Sequence, residues 1–273
     1  MSDADRDNSV KRPIGRRALL AALGAGAGAV MAATAAQAAD VITGGPKELL
    51  ISYRCEAENR PAFRAWLAGE MSLFLGRLVD QGTLVEWQIL FNPFTSTGTW
   101  DAMLVMSFKT YAETQAWKII ERTRPGGLSQ AALKLGQPIQ TYCCDLPWHG
   151  VAQEPGPVGP RVAYCIPYEY NAAGAYSSYV DAYVVPQVEG WIKEGIISRY
   201  RLYLNRFNVG PPWDSYFIYE YRDMDAFGRR EEVLLKVREP LKADPTWAHL
   251  NEIKSTLRTE SENTVADILS WSK

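Results

Sequence analysis

The sequence is poor in the side chains that most often carry catalysis or hold metal ions. Of its 273 residues, only two are histidine and four are cysteine. Cys55, Cys143, Cys144 and Cys165 match no metal-binding spacing, because the closest two are adjacent rather than separated by two residues. No phosphate-binding loop, dinucleotide-binding glycine motif, zinc-protease motif or nucleophile elbow occurs. The sequence therefore gives no support for the common nucleotide-, zinc- or serine-dependent enzymes.

Long apolar runs are confined to the N-terminus. Arg16 and Arg17 precede an Ala/Gly-rich run that ends in Ala36-Gln37-Ala38, a small-x-small cleavage signal. This segment resembles a twin-arginine signal peptide, although Gly15 and Ala21 depart from the usual residues beside the arginine pair. We expect residues 1–38 to direct export to the periplasm and to be removed. A Sec signal and a weak N-terminal anchor are the alternatives.

The part that remains after such cleavage is mildly acidic. It carries 24 Lys and Arg against 28 Asp and Glu, a net charge of −4. A surface of mixed charge with an acidic balance argues against nucleic acid or an anionic membrane as a partner. No later segment is long and apolar enough to cross a bilayer. An exported protein can form disulfides, but buried free thiols in strands are the favoured interpretation of the four cysteines.

The remaining chain repeats itself at a spacing of 113 residues. The match runs without a gap for about sixty residues, and features kept in both copies are interpreted as structural. The matched pairs are Glu56 and Glu169, Gly82 and Gly195, Asn92 and Asn205, Phe94 and Phe207, and Trp100-Asp101 and Trp213-Asp214. Pro125 matches Pro240 only after a shift of two residues, which predicts a small insertion. The repeat therefore predicts two copies of one unit, over residues 39–150 and 151–273.

Each copy shows the same order of local patterns. An apolar run predicts a first strand, and apolar residues at i, i+3, i+4 and i+7 then predict a helix that ends at Gly82 or Gly195. Two strands, a second helical region and a last strand follow. We predict the last strands near residues 139–144 and 256–261, with a Pro/Gly-rich linker over 147–160. Pro186 should kink the second long helix, since proline removes a backbone hydrogen bond.

The order β-α-β-β-α-β is the ferredoxin-like unit, and its antiparallel sheet carries helices on one face only. Two units in one chain predict an α+β fold in which the bare sheet faces pack together. This arrangement resembles the dimeric α/β-barrel superfamily, here as a tandem fusion. The resemblance implies a pocket between sheet and helices for a flat, largely apolar molecule. The superfamily includes cofactor-free monooxygenases, polyketide cyclases, muconolactone isomerases and haem enzymes.

His249 and Glu70 are the candidate proton carriers. His249 lies in the helical segment before the last strand, from which an imidazole could reach the pocket as a base or as a haem ligand. Glu70 occupies the position matched by Tyr183 in the apolar stripe of the first helix, where partial desolvation would suit a carboxylate to acid/base work. A surface or capping His249, and a Glu70 at the margin of the stripe, are the alternatives.

The second copy is rich in tyrosine, whose flat ring and hydroxyl suit an aromatic or phenolic ligand. We therefore place the functional pocket there, with Tyr164 and Tyr168 as further catalytic candidates. The predicted ligand-binding residues are Tyr179, Tyr183, Tyr203, Tyr219, Trp213 and Arg201. Simple packing of tyrosine between sheet and helix is the alternative, and Arg201 could instead pair with Glu220 across strands.

These patterns favour an exported, cofactor-independent enzyme of the lyase, isomerase or monooxygenase type. It would use acid/base chemistry on a small, flat aromatic or polyketide-like compound. Two other functions stay open: a non-catalytic barrel that binds a small molecule, and a haem protein with His249 as the axial ligand. No metal site is predicted. The expected partner is a small hydrophobic or aromatic molecule, and the chain would be a monomer or a homodimer.

Overall fold

The computed structural model describes residues 47–94, 96–153, 160–206 and 213–272, so the predicted signal peptide lies outside the described residues. The first unit contains β1 Lys47–Arg54, α1 Arg60–Trp66, α2 Ser72–Asp80, β2 Glu86–Phe91, β3 Ala102–Phe108, α3 Thr114–Glu121 and β4 Gln137–Val151. The second contains β5 Val162–Tyr170, α4 Ala173–Tyr179, α5 Val185–Lys193, β6 Ile197–Asn205, β7 Ser215–Tyr221, α6 Met224–Gly228, α7 Arg230–Leu241, α8 Pro245–Leu257, β8 Arg258–Glu260 and β9 Thr264–Trp271. The predicted tandem β-α-β-β-α-β order is confirmed.

Strand pairing closes the two sheets into one barrel of eight strands within the described residues. The order within the first unit is β4-β1-β3-β2, and within the second it is β9-β5-β7-β6. Strand β4 also pairs antiparallel with β6, and β9 pairs antiparallel with β2, so the two sheets join at both edges. The short β8 lies beside the far part of β5. Closure leaves neither sheet with a bare edge, which protects the strands from pairing with other chains.

Successive side chains along each strand point to opposite faces of the sheet, and the buried residues therefore form three separate cores. In β1, Leu49 and Ile51 face the helices of the first unit, while Leu50 between them faces the barrel interior. The helix-facing residues of the second unit form a separate, tyrosine-rich core. The two bare sheet faces thus meet inside the barrel, as the duplicated unit predicts.

The helix after the first strand has the same irregularity in both units. A π-helical turn interrupts it at Leu67–Met71 in the first unit and at Val180–Val184 in the second, a spacing of 113 residues. Both helices then end at a glycine of positive φ, 70° at Gly82 and 74° at Gly195, as predicted. The first unit has no proline at the place matching Pro186, so the turn is a property of the repeat. Pro186 lies in the first turn of α5, directly after the π-helical turn, and the kink predicted there stays a prediction.

The units differ most between the third and last strands. Strand β4 begins at Gln137 and β9 at Thr264, which is 127 residues later rather than 113. The additional residues lie in the region of α7 and α8, and α8 has no helical counterpart in the first unit. A strand does lie within the predicted range 256–261, the short β8, but the prediction that it is the last strand is wrong, because β9 follows from Thr264. The match of Pro125 with Pro240 is also wrong, since Pro125 begins a 3₁₀ turn and Pro240 lies inside α7.

The linker between the two units is shorter than the sequence predicted. Strand β4 continues through residues 147–151, because this stretch pairs with β6 of the second unit. His149 therefore lies in a strand opposite Arg201 rather than in a turn. A strand pairing with a distant part of the chain overrides the local turn signal of the prolines and glycine around it.

Matched positions of the two units face each other inside the barrel. Arg199 forms an ion pair with Glu86, and Arg201 donates a hydrogen bond to Gln88, each across a spacing of 113 residues. Two identical subunits would place like side chains opposite each other at such positions. Duplication within one chain permits a carboxylate or an amide to face an arginine instead.

The structure agrees with the prediction of free thiols. All four cysteines are free, and Cys144 and Cys165 are buried within strands β4 and β5. Within the described ranges, each helix is too short or too polar to span a bilayer.

Candidate functional site

A cavity of about 260 Å³ lies between the sheet and the helices of the second unit. Strands β5 and β7 form its floor through Tyr168, Phe217 and Tyr219, and helices α5 and α7 form its walls. In the first unit, large side chains pack between the sheet and the helices. Phe63, Met71, Trp117 and Leu128 pack there in one buried cluster. The structure therefore places a cavity in the unit for which the sequence predicted one.

A ladder of stacked rings lines one side of this cavity. Tyr179 and Tyr183 stack at 5.1 Å between ring centroids, and Tyr183 stacks on Trp247 of α8 at 4.8 Å. The two tyrosines are four residues apart and lie on one face of the helix, next to its π-helical turn. All three side chains are buried, which fixes the rings, and Tyr179 and Tyr183 line the cavity.

Cationic side chains also line the cavity. Arg230, Arg238, Lys254 and Arg258 line it, against only two carboxylates, Glu231 and Glu260. The two carboxylates are already engaged, Glu231 with Arg230 and Glu260 with Arg258. Within the described part of the chain, Arg238 and Lys254 form no salt bridge. The cavity therefore holds positive charge that its own carboxylates do not neutralise.

Hydrogen bonds hold these cations in place. Arg258 lies over the ring of Tyr168, with 4.1 Å from its guanidinium carbon to the ring centroid, and donates from Nε to the Tyr179 hydroxyl at 2.9 Å. Arg238 donates from Nε to Gln187 Oε1 at 2.7 Å. Lys254 donates to Asn251 Oδ1 at 2.9 Å. Each contact is to a neutral group, so the positive charges remain available to a ligand.

The same environment shifts the protonation equilibria of the lining groups. Burial raises the pKa of the Tyr168, Tyr179 and Tyr183 hydroxyls, so they stay neutral. Burial lowers the pKa of Lys254, and the nearby guanidinium groups of Arg238 and Arg258 lower it further. The surroundings of Lys254 thus make its neutral amine, the form that accepts a proton, easier to reach than that of a lysine in water.

Four of the tyrosines predicted from the sequence line the cavity: Tyr168, Tyr179, Tyr183 and Tyr219. Tyr164 lies beside it in the same core, where Arg230 covers its ring at 5.1 Å and Asn263 donates to its hydroxyl at 2.9 Å. These five side chains project from the helix-facing side of their strands and helix, as their spacing predicted.

Three predicted ligand-binding residues lie on the other face of the sheet. Tyr203 and Trp213 are buried in the core inside the barrel. Arg201, 1% exposed, donates to Glu220 Oε1 at 2.9 Å, the cross-strand pair offered as its alternative. The grouping of Tyr203, Trp213 and Arg201 with the helix-side pocket is therefore wrong, because adjacent strand residues point to opposite faces.

The two predicted proton carriers both lie on the exposed surface. His249 projects from α8 into solvent, and the cavity lining does not include it. Glu70 is exposed although Tyr183, at the matched position, is buried. Helix α8 covers Tyr183 through Trp247, whereas the first unit has no such helix to cover Glu70. The expected desolvation of Glu70 and the expected reach of His249 into the pocket are wrong.

The cationic lining was missed because charged residues on a mostly polar helix are usually solvated. One signal was available: Arg230, Leu234 and Arg238 recur every four residues, and all three line the cavity. Lys254 in α8 and Arg258, the first residue of β8, are also four residues apart. Their role depends on the insertion in the region of α7 and α8, which the repeat did not predict.

Comparison of the whole structure with solved structures identifies the fold. An anthrone oxidase-like protein superposes with a TM-score of 0.53 and 9% identity, over 85% of this chain and 94% of that chain. The chain has the fold of the dimeric α/β-barrel proteins. A monooxygenase-like protein from Lactobacillus acidophilus NCFM superposes on this α/β barrel with a TM-score of 0.51 and 14% identity, over 84% of this chain and 97% of that chain.

A variant of chlorite dismutase from Candidatus Nitrospira defluvii gives a TM-score of 0.45 and 12% identity, over 85% of this chain and 94% of that chain. No protein-family model matches the sequence, and no curated protein matches it. All of these identities are low, so the likeness concerns the fold and not the activity.

The described lining of the cavity does not fit a haem group. Among the residues that line it, none is histidine, cysteine or methionine, the usual axial ligands apart from tyrosine. His249, the predicted axial ligand, is exposed. Within the described residues, no group of three His, Cys, Asp or Glu side chains could hold a metal ion either.

Proposed function

We propose that this α/β barrel is an enzyme whose second-unit cavity binds a flat aromatic compound of one or two rings and removes a proton from it. The observation that carries the proposal is the pairing of a tyrosine-lined cavity with Arg238 and Lys254, two cations without a carboxylate partner. A volume of about 260 Å³ lies just below the roughly 300–1,000 Å³ of drug-sized sites, so the ligand is small.

The positive charge of the cavity supports a step in which the ligand loses a proton and becomes an anion. The neutral amine of Lys254 takes a proton from an acidic C–H or O–H of the ligand and becomes an ammonium ion. The electron pair of the broken bond stays on the ligand as an enolate or phenolate. Arg238 and Arg258 stabilise this anion in a partly buried site, where charge interactions are stronger than in water. The tyrosine rings hold the planar anion by stacking.

This step is common to the cofactor-independent lyase, isomerase and monooxygenase chemistry expected from the sequence. An anthrone oxidase-like protein shares the fold, and its name refers to a flat aromatic compound. A non-catalytic binding barrel is the alternative, and it would bind the same anions without moving a proton.

The test uses 2-tetralone, a two-ring ketone whose C1 hydrogens are acidic and whose enolate is flat. The full chain is incubated with it in D2O without oxygen, and deuterium incorporation at C1 is followed by NMR. We expect exchange above the protein-free rate, increasing with pH as Lys254 loses its proton. Lys254→Met should lower the protein-dependent rate by about 100-fold or more, the usual contribution of a general base.

Two matched variants control for surface charge. Lys242→Met removes an exposed lysine of the turn before α8, and His249→Ala removes the exposed imidazole of α8 itself; both should retain exchange. Binding is measured separately with fluorescent 2-naphthoate and its neutral amide, and Arg238→Gln should weaken only the carboxylate by about tenfold. Exchange that survives Lys254→Met, or equal binding of acid and amide in the wild type, would contradict the proposal. Anion-selective binding without exchange would identify a binding barrel.

A further inference from the structure

A second cavity, of about 470 Å³, opens at one end of the barrel interior, on the opposite face of the sheet from the first. Both units contribute to it: Glu48, Glu86 and Ser107 come from the first unit and Arg199 from the second. Val85 and Leu146 provide apolar surface beside these polar groups, Val85 exposed and Leu146 buried. We refer to these six residues as the barrel-mouth site. The catalytic proposal above involves none of them.

Glu48 is the most unusual side chain of the barrel-mouth site. It is 1% exposed, and the hydroxyl of Ser107 donates to its Oε1 at 2.6 Å. Its other oxygen, Oε2, is buried and has no hydrogen-bond partner within the described residues. Buried polar atoms are nearly always paired, and an unpaired one in a cavity wall indicates a missing water or ligand.

The protonation state of Glu48 decides what that partner must be. Burial raises its pKa from 4.5 to about 8, against the opposing effects of the Ser107 hydrogen bond and of Arg201. At neutral pH the carboxyl is therefore mostly protonated, and its free oxygen can donate a hydrogen bond. The charged or titratable groups around it are Glu86, Arg199, Arg201, Tyr203 and Cys144, with Lys109 and His149 at the cavity wall.

Arg199 offers a second donor in the same cavity. Its guanidinium forms an ion pair with Glu86 through Nη2, but its Nε is buried without a partner in the described residues. Burial by itself would raise the pKa of Glu86, yet the charge and hydrogen bond of Arg199 lower it below its ordinary value. Glu86 thus stays ionised and paired with Arg199. The two atoms of the site that lack a partner within the described residues, Glu48 Oε2 and Arg199 Nε, are both hydrogen-bond donors.

We propose that the barrel-mouth site binds a small monocarboxylate. One carboxylate oxygen accepts from Arg199 Nε, the other accepts the proton of the Glu48 carboxyl, and a short apolar tail lies against Val85 and Leu146. Two charged carboxylates would repel each other, so the ligand requires Glu48 in its protonated form. Binding is therefore coupled to a proton and weakens as the pH rises.

The test is isothermal titration of the full chain with propionate, butyrate and benzoate at about pH 6 and about pH 9, on either side of the Glu48 transition. Butyramide and butylamine serve as neutral and cationic analogues. We expect the carboxylates to bind about tenfold more tightly at the lower pH, because Glu48 is ionised at the higher one. Near the pKa of Glu48, binding should take up protons, which appears as a dependence of the measured heat on the buffer.

Variants separate this site from the first cavity. Glu48→Gln keeps a neutral donor, so it should bind butyrate with no difference between the two pH values. Arg199→Met should weaken binding by about tenfold or more. Glu58→Gln, at an exposed carboxylate, and Lys254→Met, in the first cavity, should both retain the wild-type profile.

Several results would overturn the proposal. These are tighter binding of butylamine than of butyrate, an unchanged pH profile in Glu48→Gln, no binding of any of the three carboxylates, and loss of binding in Lys254→Met alone. The last result would place the anion in the first cavity.

Discussion

The buried Arg201 gives the sharpest test of how the barrel interior is held together. It is 1% exposed, donates to Glu220 Oε1 at 2.9 Å, and also donates to Gln88 across the two units. We consider Arg201→Met, which preserves an apolar stem and removes the charge. The carboxylate of Glu220, also 1% exposed, would then remain in the interior without its closest cation.

The expected loss of stability arises from the buried carboxylate of Glu220, which remains after Arg201 is replaced. Removing one partner of a buried ion pair costs about 3–5 kcal/mol, mostly because the other charge is left uncompensated. Gln88 still donates to Glu220 at 3.0 Å and Arg161 lies 4.0 Å away, so the lower end of the range applies. About 3 kcal/mol corresponds to a fall in Tm of roughly 6–12 °C for a domain of this size.

Arg199→Met is the matched control. Arg199 lies two residues away on the same face of β6 and pairs with Glu86 at the same spacing, but the two side chains are 26% and 31% exposed. A partly solvated ion pair contributes about 1 kcal/mol or less to the free energy of unfolding. The free energies of unfolding of Arg201→Met and Arg199→Met are measured by urea denaturation, monitored by circular dichroism.

A double variant tests the mechanism. Arg201→Met combined with Glu220→Met removes both charges and should regain at least half of the loss, because no buried charge remains. The reasoning is refuted if Arg201→Met costs no more than Arg199→Met, or if the effect of Glu220→Met simply adds to that of Arg201→Met.

Three further predictions concern export, the closed barrel and Glu48. Replacing Arg16 and Arg17 with lysine should remove the protein from the periplasmic fraction; unchanged export would show that another route is used. Residues 39–150 expressed alone should not form a stable monomer, because β2 and β4 lose their partners β9 and β6; a well-dispersed NMR spectrum of a monomer would contradict the closed barrel. Glu48 binds its proton more tightly in the folded state, so its contribution to stability falls as the pH rises from 4.5 to about 8. Glu48→Gln should therefore be more stable than the wild type above pH 8, with a gap in urea denaturation that narrows towards pH 4.5; a constant gap would argue against a raised pKa.

The sequence predicted the tyrosines of the candidate site but not its cationic residues. Tyr168, Tyr179, Tyr183 and Tyr219 could be placed because period-two and helical spacing assign each to the face between sheet and helices. Lys254 could not, because a lysine on a polar helix has the same pattern whether it faces solvent or a cavity. Its place depends on how α8 packs over the second unit.

The sequence by itself determined the order of elements and their duplication. Strands β3 and β7 lie where their apolar runs and preceding Trp-Asp pairs predicted, and Gly82 and Gly195 end their helices, because these signals are local. The tertiary structure alone decided which strands join the two units and which charges meet inside the barrel. Pairing of β4 with β6 extended a strand through a predicted linker, and the closed barrel brought Arg201 to Gln88 and Glu220. Such contacts join residues far apart in the chain, so no local pattern contains them.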